Sequence, residues 1–418
     1  MFAESEGLSR RDFLTRSAKA GAAVIAAGTL ASCTTSKSIL TAKSGIGSSE
    51  TAAKQVFPRR GFIGAINYFA HPDNGYDWWM RLVDDMVRHK ANTLGVLCES
   101  CSGPDPRWFG LGWPSRVSGA HRDKNCSNAN PKTEYLTKII EYCKSAGIRF
   151  KLEVSTLDDW AFVAAHPELR QEIGEGRYDR HLCPNKPEAI SYIRDKVVDL
   201  VTFYPNADAV IFDQHIKYAF YGYCKCPHCR ADFTKTMGIE PEKATEEQLL
   251  IYRYKVMVRL TRELLGAVKA KVPKMRVGAT LEGVSTEMMA ERQKYYSQAA
   301  TGLDFIFFQN MNRHRDNMNG VTQSATSVYD EVFVACGVYT TKVLKYSDYF
   351  RGAGWWRPAE PGDADIYVDM AIEARERLSK PERFTGFTFW NISLHDPGEP
   401  MREAAMRAIK RLSTYQVS

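Results

Sequence analysis

The chain has 418 residues, 44% hydrophobic and 25% charged, which is the composition of a soluble globular protein with room for one large domain or two ordinary ones. Its net charge of +7 is spread along the sequence without a long Lys/Arg run, which argues against a nucleic-acid-binding protein. Beyond the N-terminal segment no stretch is apolar for long enough to cross a bilayer.

The N-terminus reads as an export signal. Ser9-Arg10-Arg11-Asp12-Phe13-Leu14 fits the twin-arginine pattern, a small-residue apolar run follows at Ala18–Leu30, and Leu30-Ala31-Ser32-Cys33 resembles a lipobox. That resemblance implies removal of residues 1–32, lipidation of Cys33, and a lipoprotein of the periplasm or cell envelope. It also implies export in the folded state, which suits a protein that loads a metal first. Residues 33–56 are rich in Ser, Thr, Gly and Ala and read as a flexible tether, leaving 57–418 as the folded domain.

Eight short β-rich apolar runs then recur: Gly61–Phe69, Ala91–Cys98, Ile148–Val154, Ala209–Phe212, Arg276–Leu281, Leu303–Phe308, Val332–Gly337 and Thr385–Trp390. Amphipathic segments separate most of them, at Trp78–His89, Thr133–Ala146, Pro187–Phe203, Thr245–Val272 and Ala364–Leu378. The sixth crossover, Gln309–Glu331, has the weakest helix pattern. Eight β/α repeats predict an α/β fold of the (β/α)₈ TIM-barrel type in a single large domain. No G-x-G-x-x-G follows the first strand, against a dinucleotide fold.

In such a barrel, chemistry sits where the strands end at the C-terminal face. Those ends offer Asn67 and His71, then Glu99, then Glu153 and Asp158, then Asp213 and His215. Glu282, Asn310, and Trp390 with Asn391 follow on the later strands. The seventh strand offers Tyr339 and no carboxylate. All eight tryptophans lie at or just past strand ends, Trp355 and Trp356 after the seventh, and flat aromatic faces there favour a carbohydrate groove.

The fourth run ends in Asp213 and leads into Cys224, Cys226 and Cys229, a C-x-C-x-x-C cluster. Three soft thiolates lack one ligand for tetrahedral zinc; Cys183 in His181-Leu182-Cys183-Pro184-Asn185 supplies it, with His228 as a substitute. Four thiolates make a closed structural site, not a catalytic one. C-x-C is also too short for a comfortable internal disulfide. Of the remaining cysteines, Cys98, Cys101 and Cys126 share a region where a bridge such as Cys101–Cys126 is plausible in an oxidising compartment, while Cys143 and Cys336 read as core.

This C-P-N segment, followed by C-x-C-x-x-C just past the fourth strand, resembles the zinc site of glycoside hydrolase family 42 β-galactosidases. Phe212-Asp213 with Cys224-Lys225-Cys226-Pro227-His228-Cys229 and Phe233 also resembles the hypothetical glycosyl hydrolase family 6 barrels. The resemblance implies a glycosidase with a structural zinc. It does not carry over the family 42 catalytic residues. Their Asn-Glu pair on strand 4 is Asp213-Gln214 here, and their strand 7 glutamate is replaced by Gly337-Val338-Tyr339.

Glycoside hydrolysis needs two carboxyls across the scissile bond. Asp213 is the expected nucleophile and Glu282 the expected acid, with Glu153 and Glu99 in reserve. Asn67, Glu99, Glu153, His215, Asn310, Trp355, Trp356, Trp390 and Asn391 are the expected substrate contacts. The expected function is thus an exported glycoside hydrolase of the retaining type, acting on an oligo- or polysaccharide. The alternative is a carbohydrate-binding barrel that has lost one catalytic carboxylate. A histidine-based zinc hydrolase is disfavoured, since no H-x-H or H-E-x-x-H pair occurs.

Overall fold

Runs that are apolar at successive positions require a sheet covered on both faces. In a computed structural model of the chain, the structure describes residues 63–68, 75–101, 109–124, 126–174, 177–213, 223–283, 295–310, 315–337, 360–390 and 400–415. The chain divides into a first unit, Met1–Ala53, and a second, Lys54–Ser418; all described residues belong to the second. The signal, Cys33 and most of the tether lie in the first.

The eight runs form strands β1 (Ile63–Tyr68), β2 (Thr93–Leu97), β3 (Arg149–Ser155), β4 (Ala209–Asp213), β5 (Arg276–Gly283), β6 (Phe305–Asn310), β7 (Val332–Gly337) and β8 (Phe384–Trp390). Each pairs in parallel with its neighbours, and β8 pairs with β1, so the sheet closes on itself. This is the (β/α)₈ barrel that the repeats predict. The helices are α1 (Gly75–Arg88), α2 (Leu136–Ser145), α3 (Trp160–Ala165), α4 (Pro187–Phe203), α5 (Pro227–Met237), α6 (Glu246–Lys271), α7 (Gln298–Thr301), α8 (Arg315–Val328), α9 (Pro361–Glu376) and α10 (Pro400–Thr414). Among the described residues, no helix is long and apolar enough to cross a membrane.

One strand face supplies the core beneath the helices: Leu94 and Val96, Phe150, Leu152 and Val154, Val210 and Phe212, and their equivalents farther round. The other face fills the barrel. Thr280 on β5 bonds to Glu153 on β3, and Lys151 on β3 lies over the rings of Phe307 and Phe333 on β6 and β7. None of these strand pairs is adjacent in the sheet, so the contacts cross the barrel interior. Two glycines make that packing feasible. A Cβ on Gly64 would sit 1.8 Å from the Thr93 carbonyl oxygen, and one on Gly278 would sit 2.2 Å from the Phe305 ring.

The helices follow their sequence signals closely where caps are explicit. Thr245 and Gln248 form a reciprocal capping box at the start of α6. The weak sixth crossover nevertheless contains α8, whose Ser, Thr, Asn and Gly content lowers intrinsic helix propensity. Tertiary packing compensates: Met318, Val321, Thr322, Ala325 and Thr326 form its buried stripe. Helix α10 completes the eighth repeat, and Arg402 ties it to α1 through Asp85 at 3.3 Å.

Candidate functional site

The run Arg149–Ser155 places Lys151, Glu153 and Ser155 on the inner face of β3, by the two-residue period of a strand. In register with it, Ser155 pairs with Asp213 of β4, and Asp213 pairs with Thr280 of β5. Three C-terminal strand ends therefore meet at one level. Ser155 Oγ donates to Asp213 Oδ2 at 3.3 Å, and Thr280 Oγ1 donates to Glu153 Oε1 at 3.2 Å. Glu153 Oε2 is buried with no hydrogen-bond partner among the described residues.

Both carboxyls are withdrawn from water, Asp213 at 3% exposure and Glu153 at 0%. Burial, reinforced by the neighbouring Asp213 charge, pushes the Glu153 carboxyl up from 4.5 to about 8. Two neighbouring acids cannot both ionise cheaply, so the Glu153 carboxyl keeps its proton at neutral pH. Beneath them lies Lys151, fully buried, whose Nζ is 4.5 Å from the Phe307 ring centre and 5.5 Å from that of Phe333. Burial pushes its ammonium down to about 7, against the attraction of Glu153.

Glu99 has a different use. Both its oxygens accept from Ser155 N, at 3.0 and 2.9 Å, and Oε1 also accepts from Lys196 Nζ at 3.3 Å. Lys196 bridges to Asp159 Oδ2 at 3.4 Å, and Asp159 accepts from Tyr192 OH at 2.6 Å and Phe162 N at 3.1 Å. This buried triad pins the ends of β2, β3 and helices α3 and α4 together. Glu99, expected among substrate contacts, is thus committed at 0% exposure to an ion pair.

The cysteines converge as their spacing predicts. Cys183, after the hairpin that follows α3, and Cys224, Cys226 and Cys229, at the start of α5, are all buried, with their sulfurs within 4.8 Å of one another. The Cys183–Cys229 and Cys183–Cys226 separations are 3.3 and 3.7 Å. Tetrahedral zinc with Zn–S bonds of about 2.3 Å needs sulfurs about 3.8 Å apart, so the donor set fits that ion. Hydrogen bonding from Cys183 pushes Cys226 and Cys224 down towards the thiolate. Glu172 N donates to Cys224 Sγ at 3.2 Å and Asn185 Nδ2 to Cys229 Sγ at 3.1 Å, the N–H···S bonds that stabilise thiolate charge. Asn185 is itself held by Tyr252 and Arg259, and both of these reach Asp232. Four sulfurs leave no open coordination position, so a metal here ties the loops after β3 and β4 together.

The remaining candidates fall as follows. Asn67, Glu282, Asn310 and Trp390 lie on described strands, with register partners Val96, Gln309, Cys336 and Gly337 among others, but their side chains lie outside the described residues. His71, His215, Trp355, Trp356 and Asn391 lie outside them altogether. Three of the eight tryptophans do not line a groove: Trp78, Trp79 and Trp113 are core residues at 6, 1 and 0% exposure. Trp79 donates to Tyr135 OH and Trp113 to Asp199, so their polar N–H ends are satisfied internally. Cys126 is buried and the side chain of Cys101, its expected bridge partner, lies outside the described residues, while Cys143 and Cys336 are core as expected. Sequence reasoning passed over Lys151, Lys196 and Asp159. The pattern Lys151-x-Glu153-x-Ser155 was the available signal, a polar inner face in an otherwise apolar strand.

The architecture has known counterparts. The structure is similar to a β-galactosidase from the haloarchaeon Halorubrum lacusprofundi (12% identity, TM-score 0.57, covering 84% of this chain and 58% of that one). A β-galactosidase from Bacillus circulans sp. alkalophilus matches equally well (12%, 0.57, 86% and 57%). A GH20 exo-β-N-acetylglucosaminidase from Vibrio harveyi follows (13%, 0.54, 84% and 54%). What the chain shares with these enzymes is the (β/α)₈ barrel fold. This chain spans little more than half the length of each of those enzymes. No protein-family model and no curated protein matches the sequence.

Proposed function

We propose that this chain is a glycoside hydrolase that cleaves an oligo- or polysaccharide with two carboxyls at the C-terminal end of its barrel. The observation that carries the reading is the Asp213–Glu153 pair. It sets a carboxyl that keeps its proton at neutral pH beside a second carboxyl on the next strand, on a barrel shared with glycosidases. Asp213 acts as the nucleophile of a retaining mechanism. Glu153 is proposed as the acid, because it is buried beside Asp213 and holds its proton at neutral pH, while the side chain of Glu282 lies outside the described residues. His215, Asn67, Asn310, Trp355, Trp356, Trp390 and Asn391 are proposed to bind sugar hydroxyls and ring faces. The four cysteines hold a structural zinc.

The chain is further proposed to leave the cytoplasm folded, through the Arg10-Arg11 signal, and to stay on the envelope through a lipid on Cys33. Zinc loading before export then follows from burial of all four cysteines.

The test is turnover of a panel of aryl glycosides and polysaccharides by the wild type and by D213N, E153Q and E282Q. Loss of a general acid lowers kcat by about 10²–10⁴-fold. E153Q is expected in that range with E282Q milder, and D213N is expected to be inactive. The anomer released, followed by NMR, reports retention or inversion. Saccharide binding with no turnover, unchanged in D213N, would replace the hydrolase by a carbohydrate-binding barrel. Fractionation of cells carrying R10K/R11K or C33S tests the export route and the anchor.

A further inference from the structure

The Lys151 side chain is placed with unusual care for a buried cation. Its register partners are Gly95 on β2 and Ala209 on β4, and these small residues leave the centre of the barrel to the lysine. Across the interior, the faces of Phe307 and Phe333 receive its ammonium. Two residues further along the same face, about 6.6 Å up the strand, stands Glu153. We propose that Lys151 is a positioning residue for Glu153, the counter-charge towards which negative charge moves when Glu153 gives up its proton.

This rests on the glycosidase reading for its role in turnover. In the first step a carboxylate oxygen of Asp213 bonds to the anomeric carbon and the glycosidic C–O bond breaks. Its electron pair goes to the leaving oxygen, which takes the Glu153 proton. Asp213 ends as a neutral ester and Glu153 as a carboxylate, so one negative charge has moved from β4 to β3, above Lys151. Among the described residues, the charged groups around the pair are Asp213 and Glu99 beside Glu153, with Arg149 and Arg276 acting on Lys151. Thr280 contributes a neutral hydroxyl to Glu153.

The test needs no substrate. The Glu153 carboxyl is titrated by ¹³C NMR in protein labelled at glutamate, with E153Q to assign the signal. In K151M, where Met replaces the ammonium with an apolar chain of similar length, the Glu153 midpoint is expected to rise, because the Lys151 charge that favours the carboxylate is gone. The reciprocal measurement guards against misfolding of K151M: the ¹⁵N signal of Lys151 is expected to titrate lower in E153Q than in the wild type. A Glu153 midpoint unchanged in folded K151M, or a Lys151 midpoint unchanged in E153Q, overturns the proposal. Coupling in both titrations, with D213N as active as the wild type, would instead overturn the glycosidase reading. Once a substrate is known, K151M should lower kcat with little change in KM and move the alkaline limb of the pH profile upward.

Discussion

The protonated state of Glu153 makes the chain's stability depend on pH in a way that can be worked out in advance. Its carboxyl is pushed up from 4.5 to about 8 in the fold, while Lys151 is pushed down to about 7 from 10.5. Between pH 4.5 and 7 the folded state keeps a proton on Glu153 that the unfolded state gives up, and Lys151 stays protonated in both until the pH nears 7. In this window the group's contribution is fully present at the acid end and falls as pH rises. Each pH unit is worth about 1.4 kcal/mol, so about 3 kcal/mol is lost between pH 4.5 and 7. Lys151 works in the opposite sense above pH 7, because there the unfolded state holds the extra proton, and it offsets part of the further loss. E153Q, neutral at every pH and of the same shape, removes the Glu153 term. Urea unfolding of both proteins at several pH values from 5 to 7 measures the difference. E153Q should gain stability on the wild type by roughly 1 kcal/mol or more per pH unit across that range. A constant difference would mean that Glu153 is ionised in the folded protein, and the assignment of the acid would fall with it.

Other consequences test the remaining parts of the site. Replacing Lys196 by Met leaves Glu99 and Asp159 buried without their cation, at a cost of about 3–5 kcal/mol seen in urea unfolding; K196M/E99Q should recover part of it. Purified protein should carry one zinc per chain by elemental analysis, and C183S should lower that content and the melting temperature together. A strong chelator should lower the wild-type melting temperature and leave C183S little changed. Gly64→Ala drives a methyl into the Thr93 carbonyl of the neighbouring strand, where no side chain can yield, so a loss of about 3 kcal/mol or more in unfolding free energy is expected. Gly75→Ala, at an open position of positive φ, should cost only about 1 kcal/mol by the same measurement.

The sequence alone determined the barrel and the cysteine cluster, because both are written in short-range pattern. Strand and helix periodicity survives in eight repeats, and C-x-C-x-x-C cannot place three sulfurs far apart. Even Cys183, some forty residues upstream, was found, because ligand number forces a fourth donor. The carboxylates were a different problem. Every acid at a strand end looks alike in sequence, and only tertiary structure decided their fates. Glu99 met Lys196 from α4 and became part of a salt-bridged joint, while Glu153 met Asp213 at a buried end of the barrel and keeps its proton. The tryptophans divided for the same reason. Position past a strand end does not say whether a ring turns inward, and Trp78, Trp79 and Trp113 turn into the core. Lys151 went unseen because a lysine in a strand usually marks an exposed face. Its burial depends on Gly95, Ala209, Phe307 and Phe333, residues that come together only when the sheet closes.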